Sequence, residues 1–129
     1  MPTILIGSLL AAAQAAIPTA GAACERMLVG SWAGNGSFGS TMKVEGKATY
    51  RADHSFTSSS RFTSPGQPPQ EAALSGRWSA KAGPRPNTCT IAMSSRSATG
   101  SSSSTSDVLM VDRDTYRTMG VDMRRVRTR

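Results

Sequence analysis

TMKVEGKATYR, residues 41–51, alternates apolar and charged side chains along its length. The apolar face carries Met42, Val44, Ala48 and Tyr50, and the charged face carries Lys43, Glu45, Lys47 and Arg51. A period of two is the signature of a β-strand with one face in water. Gly46 falls on the apolar face, which predicts a bulge or a sharp bend there.

The same alternation recurs along the rest of the chain. Residues of one parity are Phe56 and Phe62, Leu74 and Trp78, Cys89 with Ile91 and Met93, and Val121 with Met123. Turn clusters and proline-rich loops separate these segments, so we count about eight short strands. Sequential hairpin spacing predicts an all-β antiparallel meander, and such a sheet avoids exposed edges by closing into a small barrel.

The N-terminal segment is typical of an export signal. Residues 4–17, ILIGSLLAAAQAAI, form an apolar run of signal-peptide length, and small residues follow it. Cleavage after Ala22 or Ala23 is expected, which divides the chain into a signal-peptide helix at 1–23 and a barrel domain at 24–129. The alternative is a retained anchor helix, although the run is short and rich in alanine for a membrane span.

The two cysteines are Cys24 and Cys89. In an exported chain they predict one disulfide, because an oxidising compartment keeps thiols paired. Cys24 also follows the cleavage region, so lipid attachment is the competing interpretation, in which both thiols stay unpaired. Gly21 stands where lipoprotein signals have a bulky aliphatic residue, which argues against attachment. Two cysteines and one histidine are too few for a structural zinc site.

Length and composition bound the function. The 129 residues carry a net charge of +7 and suffice for one domain. The sequence contains no G-x-S-x-G element, no plausible Ser-His-Asp set and no paired-carboxylate site, so neither an enzyme nor a cofactor is expected. His54 stands in a turn and is interpreted as a solvated residue rather than a base or a metal ligand.

Three short motifs occur in order: Leu28-Val29-Gly30-Ser31-Trp32, then Tyr50 to Phe56 as YRADHSF, then Gly76-Arg77-Trp78. This order resembles the bacterial lipocalin-like, calycin-type small secreted β-barrels, whose pattern is L-x-G-x-W, Y-x-x-D-G-x-F and G-x-W. The resemblance implies a secreted or lipid-anchored barrel, mostly without assigned activity.

Elementary conformational rules give these motifs a physical role. Trp32 and Trp78 are expected to plug one end of the barrel, beside glycines that permit close backbone approach. His54 stands where the family pattern has glycine, a turn position that needs a positive φ.

The main functional hypothesis is a periplasmic or secreted binding module for a small apolar ligand. Small inward residues leave room for a cavity, and barrels of about eight strands can hold one ligand. The candidate ligand-facing residues are Trp32, Tyr50, Phe56, Phe62 and Trp78. The alternative is an inhibitor of an envelope hydrolase, with the proline-rich loops 64–69 and 82–87 as inhibitory edges; the fold does not separate the two.

The C-terminal arginines could contact a second kind of partner. They are Arg124, Arg125, Arg127 and Arg129. One interpretation is a contact with an anionic envelope polymer, and the other is a solubilising edge strand or tail. No aromatic residues are interleaved with them, so nucleic-acid readout is not expected. The chain is expected to be a monomer.

Overall fold

The structure, a computed structural model, describes residues 21–39, 41–97 and 100–127. The elements are α1 Gly21–Leu28, β1 Gly30–Phe38, β2 Met42–Tyr50, β3 Ser55–Thr63, β4 Gln70–Ala82, β5 Thr88–Ser97, β6 Gly100–Asp112, β7 Thr115–Thr118 and β8 Val121–Arg125. Most of the predicted signal peptide lies outside the described residues. Within those ranges, no helix combines the length and apolar character needed to cross a membrane.

The eight strands form a closed antiparallel barrel, as predicted. Each strand pairs with the next one in sequence, and β8 returns to pair with β1 through Trp32 opposite Arg125 and Ala33 opposite Arg124. The alternation of residues 41–51 sets the orientation of β2: Val44, Ala48 and Tyr50 are buried, whereas the charged residues between them are exposed. Closure gives every strand a neighbour on both sides, although β6 pairs with β7 only from Leu109 to Asp112.

Gly46 does not form the predicted bulge. Its register with β1 and with β3 is continuous, opposite Gly34 and Ser60. The close approach is at Gly34, where a Cβ would clash with the carbonyl oxygen of Asp122 and would lie 2.8 Å from Met123 Sδ. At Gly46 a Cβ would lie 3.9 Å from Met123, an ordinary contact. The register shift of the barrel lies instead between Met110 and Asp112.

Helix α1 covers one end of the barrel, which we term the covered end. The disulfide between Cys24 and Cys89 joins α1 to the start of β5, with 5.9 Å between the two Cα atoms, so the predicted pairing is confirmed. Ala23, Cys24 and Leu28 are buried against the barrel. A cysteine sulfur in a disulfide has no valence left for a lipid, so this structure and lipid attachment at Cys24 are mutually exclusive.

The antiparallel order fixes which connections share an end. Residues 51–54, 83–87 and 113–114 lie at the covered end with α1, and the remaining connections lie at the opposite one, which we term the open end. The two proline-rich loops are therefore separated by the length of the barrel: 64–69 is at the open end and 83–87 at the covered end. They do not form one continuous edge.

Candidate functional site

Four aromatic side chains cross the barrel interior as one layer. The rings of Trp32 and Tyr116 have centroids 4.8 Å apart, and those of Tyr50 and Trp78 are 5.0 Å apart. The hydroxyls of Tyr50 and Tyr116 join the two pairs through a hydrogen bond of 3.2 Å. These four residues, which we term the aromatic layer, divide the interior into a covered half and an open half.

Trp32 ties the layer to the end of α1. Its indole N–H donates to the carbonyl of Leu28 at 2.8 Å, one of the carbonyls that a helix terminus leaves without a partner. The Arg125 guanidinium lies 4.3 Å from the ring centroid and donates to the carbonyls of Met27 and Val29. The indole and the guanidinium thus satisfy the last turn of the helix together.

Trp78 closes the other side of the covered end, as the resemblance implies. Its indole N–H donates to the carbonyl of Arg51, and its backbone N–H donates to the carbonyl of His54. His54 has a φ of 70°, so histidine adopts the positive φ that the family pattern assigns to glycine at this position. Gly76 lies beside this indole, where a Cβ would clash with the carbonyl oxygen of Ser94.

His54 has a partner that the sequence does not reveal. Its Nε2 lies 3.0 Å from Glu25 Oε1, and Glu25 Oε2 accepts a hydrogen bond from the backbone N–H of Ala80. The hydrogen bond to His54, supported by that from Ala80, lowers the pKa of Glu25. The Glu25 carboxylate therefore links α1 to the β2–β3 turn and to β4. Glu25 and His54 are 29 positions apart in the sequence, so their contact could not be read from neighbouring residues.

Burial keeps the two tyrosines of the layer protonated. Desolvation raises the pKa of Tyr116 far above its usual value, and the neighbouring Tyr50 adds to this effect. Desolvation also raises the pKa of Tyr50, against a smaller opposing effect of its hydrogen bond to Tyr116. The paired phenols therefore act as neutral hydrogen-bonding groups.

The covered half of the interior is filled by side chains. Leu28 from α1 and the Cys24–Cys89 disulfide pack there against fully buried residues of the strands. Those residues are Phe56, Ile91, Val108 and Met110. Density of this kind leaves no room for a ligand between the aromatic layer and α1.

The open half contains a cavity of about 280 Å³. Tyr116 forms its floor, Val44 and Phe62 belong to its apolar walls, and small Ala48 leaves it room. The full lining is Phe38, Val44, Gly46, Lys47, Ala48, Ser58, Ser59, Ser60, Phe62, Tyr116, Thr118, Met119, Val121 and Met123. A largely apolar concavity with a few hydroxyl groups is the usual form of a small-molecule site.

The candidate residues from the sequence divide between the two halves. Phe62 lines the cavity, whereas Trp32, Tyr50 and Trp78 form the aromatic layer and Phe56 is buried beside it. Sequence reasoning did not single out the contribution of the last two strands. That contribution consists of Tyr116, Thr118, Val121 and Met123. The parity of Val121 and Met123 was visible, but their place beside β1 depends on barrel closure.

The rim of the cavity exposes apolar side chains. Phe38 is 36% exposed at the end of β1, and Met119 is 79% exposed in the turn between β7 and β8. Met119 also has a φ of 51°, a conformation that methionine adopts at an energetic cost, and Gly120 follows at 76°. The exposed Met119 side chain therefore contributes no burial energy that would offset the strain of its turn.

Several larger but more polar grooves lie on the outer face of the barrel. The largest, about 680 Å³, runs along β4, β5 and β6 between His54, Arg77 and Ser103. We favour the smaller cavity as the candidate site because its lining is mainly apolar and interior-facing. Nowhere in the described part of the chain do three His, Cys, Asp or Glu side chains cluster as metal ligands would.

The C-terminal arginines differ in their surroundings. Arg125 is engaged by Trp32, by the carbonyls of α1 and by Asp114, whose Oδ1 accepts from Nε at 2.9 Å. Arg124 is exposed, and Arg127 lies 3.6 Å from Asp114. Arg129 is outside the described residues. Of the predicted basic cluster, Arg125 is thus committed to the fold, whereas Arg124 and Arg127 have their side chains in solvent.

Comparison of this chain with protein-family models, with curated proteins and with solved structures finds no match.

Proposed function

We propose that this chain is an exported, lipocalin-like binding protein that takes a small apolar ligand into the open-end cavity. The observation that carries the proposal is the asymmetry of the interior: one half is filled, and the other has a cavity of about 280 Å³ lined mainly by apolar side chains. Eight-stranded barrels are just wide enough to be filled by side chains or to hold one small ligand. In this barrel, side chains fill the covered half, and the open half holds the ligand.

The cavity volume limits the ligand. At roughly 30 Å³ for each water-sized group, a cavity of about 280 Å³ accepts about nine such groups. A medium-length alkyl chain or a single substituted ring fits, and a longer molecule would extend through the open rim past Phe38 and Met119. Burying that chain would release apolar surface on both partners from water, the main source of affinity in such a site.

Export is supported by the disulfide and by the leader-like sequence. Disulfides persist in oxidising compartments and are rare where thiols are kept reduced. Cys24 follows the proposed cleavage region directly, so the mature chain would begin within or beside α1 and still retain the bridge to Cys89.

Binding of an uncharged fluorescent alkyl probe, whose emission changes when it passes from water into an apolar site, tests the proposal. The wild-type chain is expected to bind the probe saturably at one site. Ala48→Leu fills the cavity and is expected to weaken binding at least tenfold, whereas Ala73→Leu, on the exposed outer face of β4, leaves it unchanged. No saturable binding, or equal binding by the two variants, would refute the proposal.

Inhibition of an envelope hydrolase is the alternative function. Residues 65–69 of the proline-rich loop at the open end are exposed, which suits insertion into an enzyme cleft. Capture of an envelope hydrolase that is lost when 65–69 are replaced by a short glycine–serine loop would favour this alternative. Retention of probe binding by the same loop variant would separate the two functions.

A further inference from the structure

We infer that the ligand is a single-chain amphiphile whose alkyl chain enters the open-end cavity and whose head is uncharged and rich in hydroxyl groups. The inference rests on the proposed function and adds the chemical class of the ligand. It follows from the way in which interior-facing positions in the open half divide between two walls.

One wall of the open half is apolar. It comes from β1, β2, β7 and β8, the strands on either side of the closure between the chain's first and last strands. Its interior-facing residues are Phe38, Val44, Ala48, Tyr116, Val121 and Met123, and Thr118 adds one hydroxyl. This wall suits an alkyl chain, and the end of that chain would contact Tyr116 at the floor of the cavity.

The other wall carries serines. Residues of a strand that share parity share a face, so the buried side chains of Phe56, Ile91 and Val108 identify the interior face of β3, β5 and β6. Towards the open end, most positions on that face are serines, which we term the serine wall: Ser58, Ser60, Ser95, Ser102, Ser104 and Ser106. Two apolar side chains, Phe62 and Met93, share that face, and β4, between β3 and β5, adds Ala72 and Leu74 at its interior positions.

The serine wall extends beyond the cavity at the rim. Pairing between β6 and β7 begins at Leu109 opposite Arg117, whereas pairing between β5 and β6 continues to Ser97 opposite Gly100. The hairpin of β5 and β6 therefore projects past the β7–β8 turn that holds Met119. Its interior face offers hydroxyls next to the mouth, where the head of a bound amphiphile would lie.

The hydroxyls of the serine wall have hydrogen-bonding capacity to spare. The cross-strand bond between Ser95 Oγ and Ser102 Oγ, 3.0 Å, uses one donor of the pair. Each serine hydroxyl supplies one donor and two acceptor positions, so even this pair retains a donor and acceptors for a ligand. Groups that both donate and accept match the hydroxyls of a polyol or a sugar.

Charged heads are disfavoured by the same geometry. Among the described residues between the aromatic layer and the open end, every Lys, Arg, Asp and Glu of the strands has the outward parity. Lys47 borders the cavity but takes an outward position on β2, between Gly46 and Ala48. An ionic head placed against the serine wall would lose water without gaining a counter-ion, which is costly.

Calorimetric titration of the whole chain with three probes tests the inference. The probes share an eight-carbon chain and are octyl glucoside, octanoate and octylammonium, each below its micelle-forming concentration. Octyl glucoside is expected to bind about tenfold more tightly than either ion, the difference that one or two well-placed hydrogen bonds supply. Equal affinities, or tighter binding of an ion, would overturn the inference and leave the proposed function standing. Binding of none of the probes would remove the proposed function as well.

Matched serine variants locate the head group. Ser60→Val and Ser104→Val change the serine wall, whereas Thr57→Val and Ser103→Val change exposed, outward positions of the same two strands that do not line the cavity. The first pair is expected to reduce the affinity for octyl glucoside about fivefold to tenfold and to leave octanoate binding unchanged. The second pair is expected to alter neither. Equal effects of both pairs would contradict the assignment.

Discussion

The hydroxyl oxygens of Tyr50 and Tyr116 lie 3.2 Å apart in the barrel interior, 66 positions apart in the sequence. Through this bond, an aromatic pair from β1 and β7 and another from β2 and β4 become one layer. Below it the interior is packed against α1, and above it lies the cavity. The layer therefore serves both the stability of the covered end and the shape of the site.

Stability at alkaline pH reports on the tyrosine pair. Both tyrosines have raised pKa values in the fold, so their contribution is complete below the unfolded pKa of about 10 and is lost as the pH rises above it. The two are the chain's only tyrosines. Above pH 10 the wild-type free energy of unfolding should fall by up to roughly 1.4 kcal/mol per pH unit for each tyrosine more steeply than that of Tyr50→Phe/Tyr116→Phe. Parallel slopes in urea denaturation would contradict this account.

Arg125 is expected to be the most important arginine for stability. Removing it takes away the contact with Trp32 and two hydrogen bonds to carbonyls at the end of α1. Arg125→Ala should lower the free energy of unfolding by about 2–3 kcal/mol. Arg124→Ala, at the exposed neighbouring position on β8, is the control and should change it by less than about 0.5 kcal/mol. Similar losses in both variants would mean that general charge, not this contact, matters.

Glu25 should make stability sensitive to acid. Its pKa is lowered by the hydrogen bond to His54 and then by that from Ala80, so its contribution is present above the unfolded pKa and is lost as the pH falls through the lowered value. Glu25→Gln should be less stable than wild type at pH 7 by about 1 kcal/mol, and the difference should shrink as the pH falls below the unfolded pKa of about 4.3. Glu71→Gln, on the exposed face of β4, provides the control. A difference that persists unchanged at low pH would exclude the carboxylate as the cause.

The strand pattern could be predicted from the sequence because it depends on neighbours two positions apart. The parity of residues 41–51 indicated the correct buried face, whereas the turn type at His54, where φ is positive, was left open by the sequence. The burial of the two tryptophans could be predicted for the same reason. Each large indole stands beside a glycine in a short motif, which indicated that the indole packs at an end of the barrel.

The contacts that were missed join segments far apart in sequence. The partner of His54 is Glu25 on α1, and Tyr50 meets Tyr116 only once β7 has closed the barrel. The predicted bulge at Gly46 was wrong for a related reason. A glycine on a buried face indicates either a distorted strand or a close neighbour, and the close approach of the last strand, through Asp122 and Met123, is at its partner Gly34.

The disulfide should supply a large part of the stability. It closes a loop with a sequence separation of 65, worth about 4 kcal/mol in the chain-entropy treatment. Cys24→Ala/Cys89→Ala should lose about that amount, and adding reductant should then have no further effect on the variant. Intact mass of the exported protein, alkylated with and without reduction, should show two thiols gained on reduction. An acyl chain on Cys24 would contradict the bridge.

Met119 should lower the stability of the fold and raise its affinity for the ligand. Its φ of 51° precedes Gly120 at 76°, a turn geometry in which asparagine is favoured. Met119→Asn should raise the free energy of unfolding by about 0.5–1 kcal/mol and weaken binding of the uncharged fluorescent alkyl probe by removing an apolar rim contact. Met119→Leu keeps the apolar contact and should retain affinity without the gain in stability. An asparagine variant that binds as well as wild type would remove Met119 from the site.

Methionine methyl NMR during a titration with octyl glucoside tests most directly the claim that the open half of the barrel binds a ligand while the covered half is filled by side chains. Met119 and Met123 line the cavity, whereas Met110 is buried in the covered half. The account predicts saturable shifts of the Met119 and Met123 methyl signals, with one dissociation constant, and no change at Met110. Shifts centred on Met110, or no saturable shift at Met119 and Met123, would contradict it.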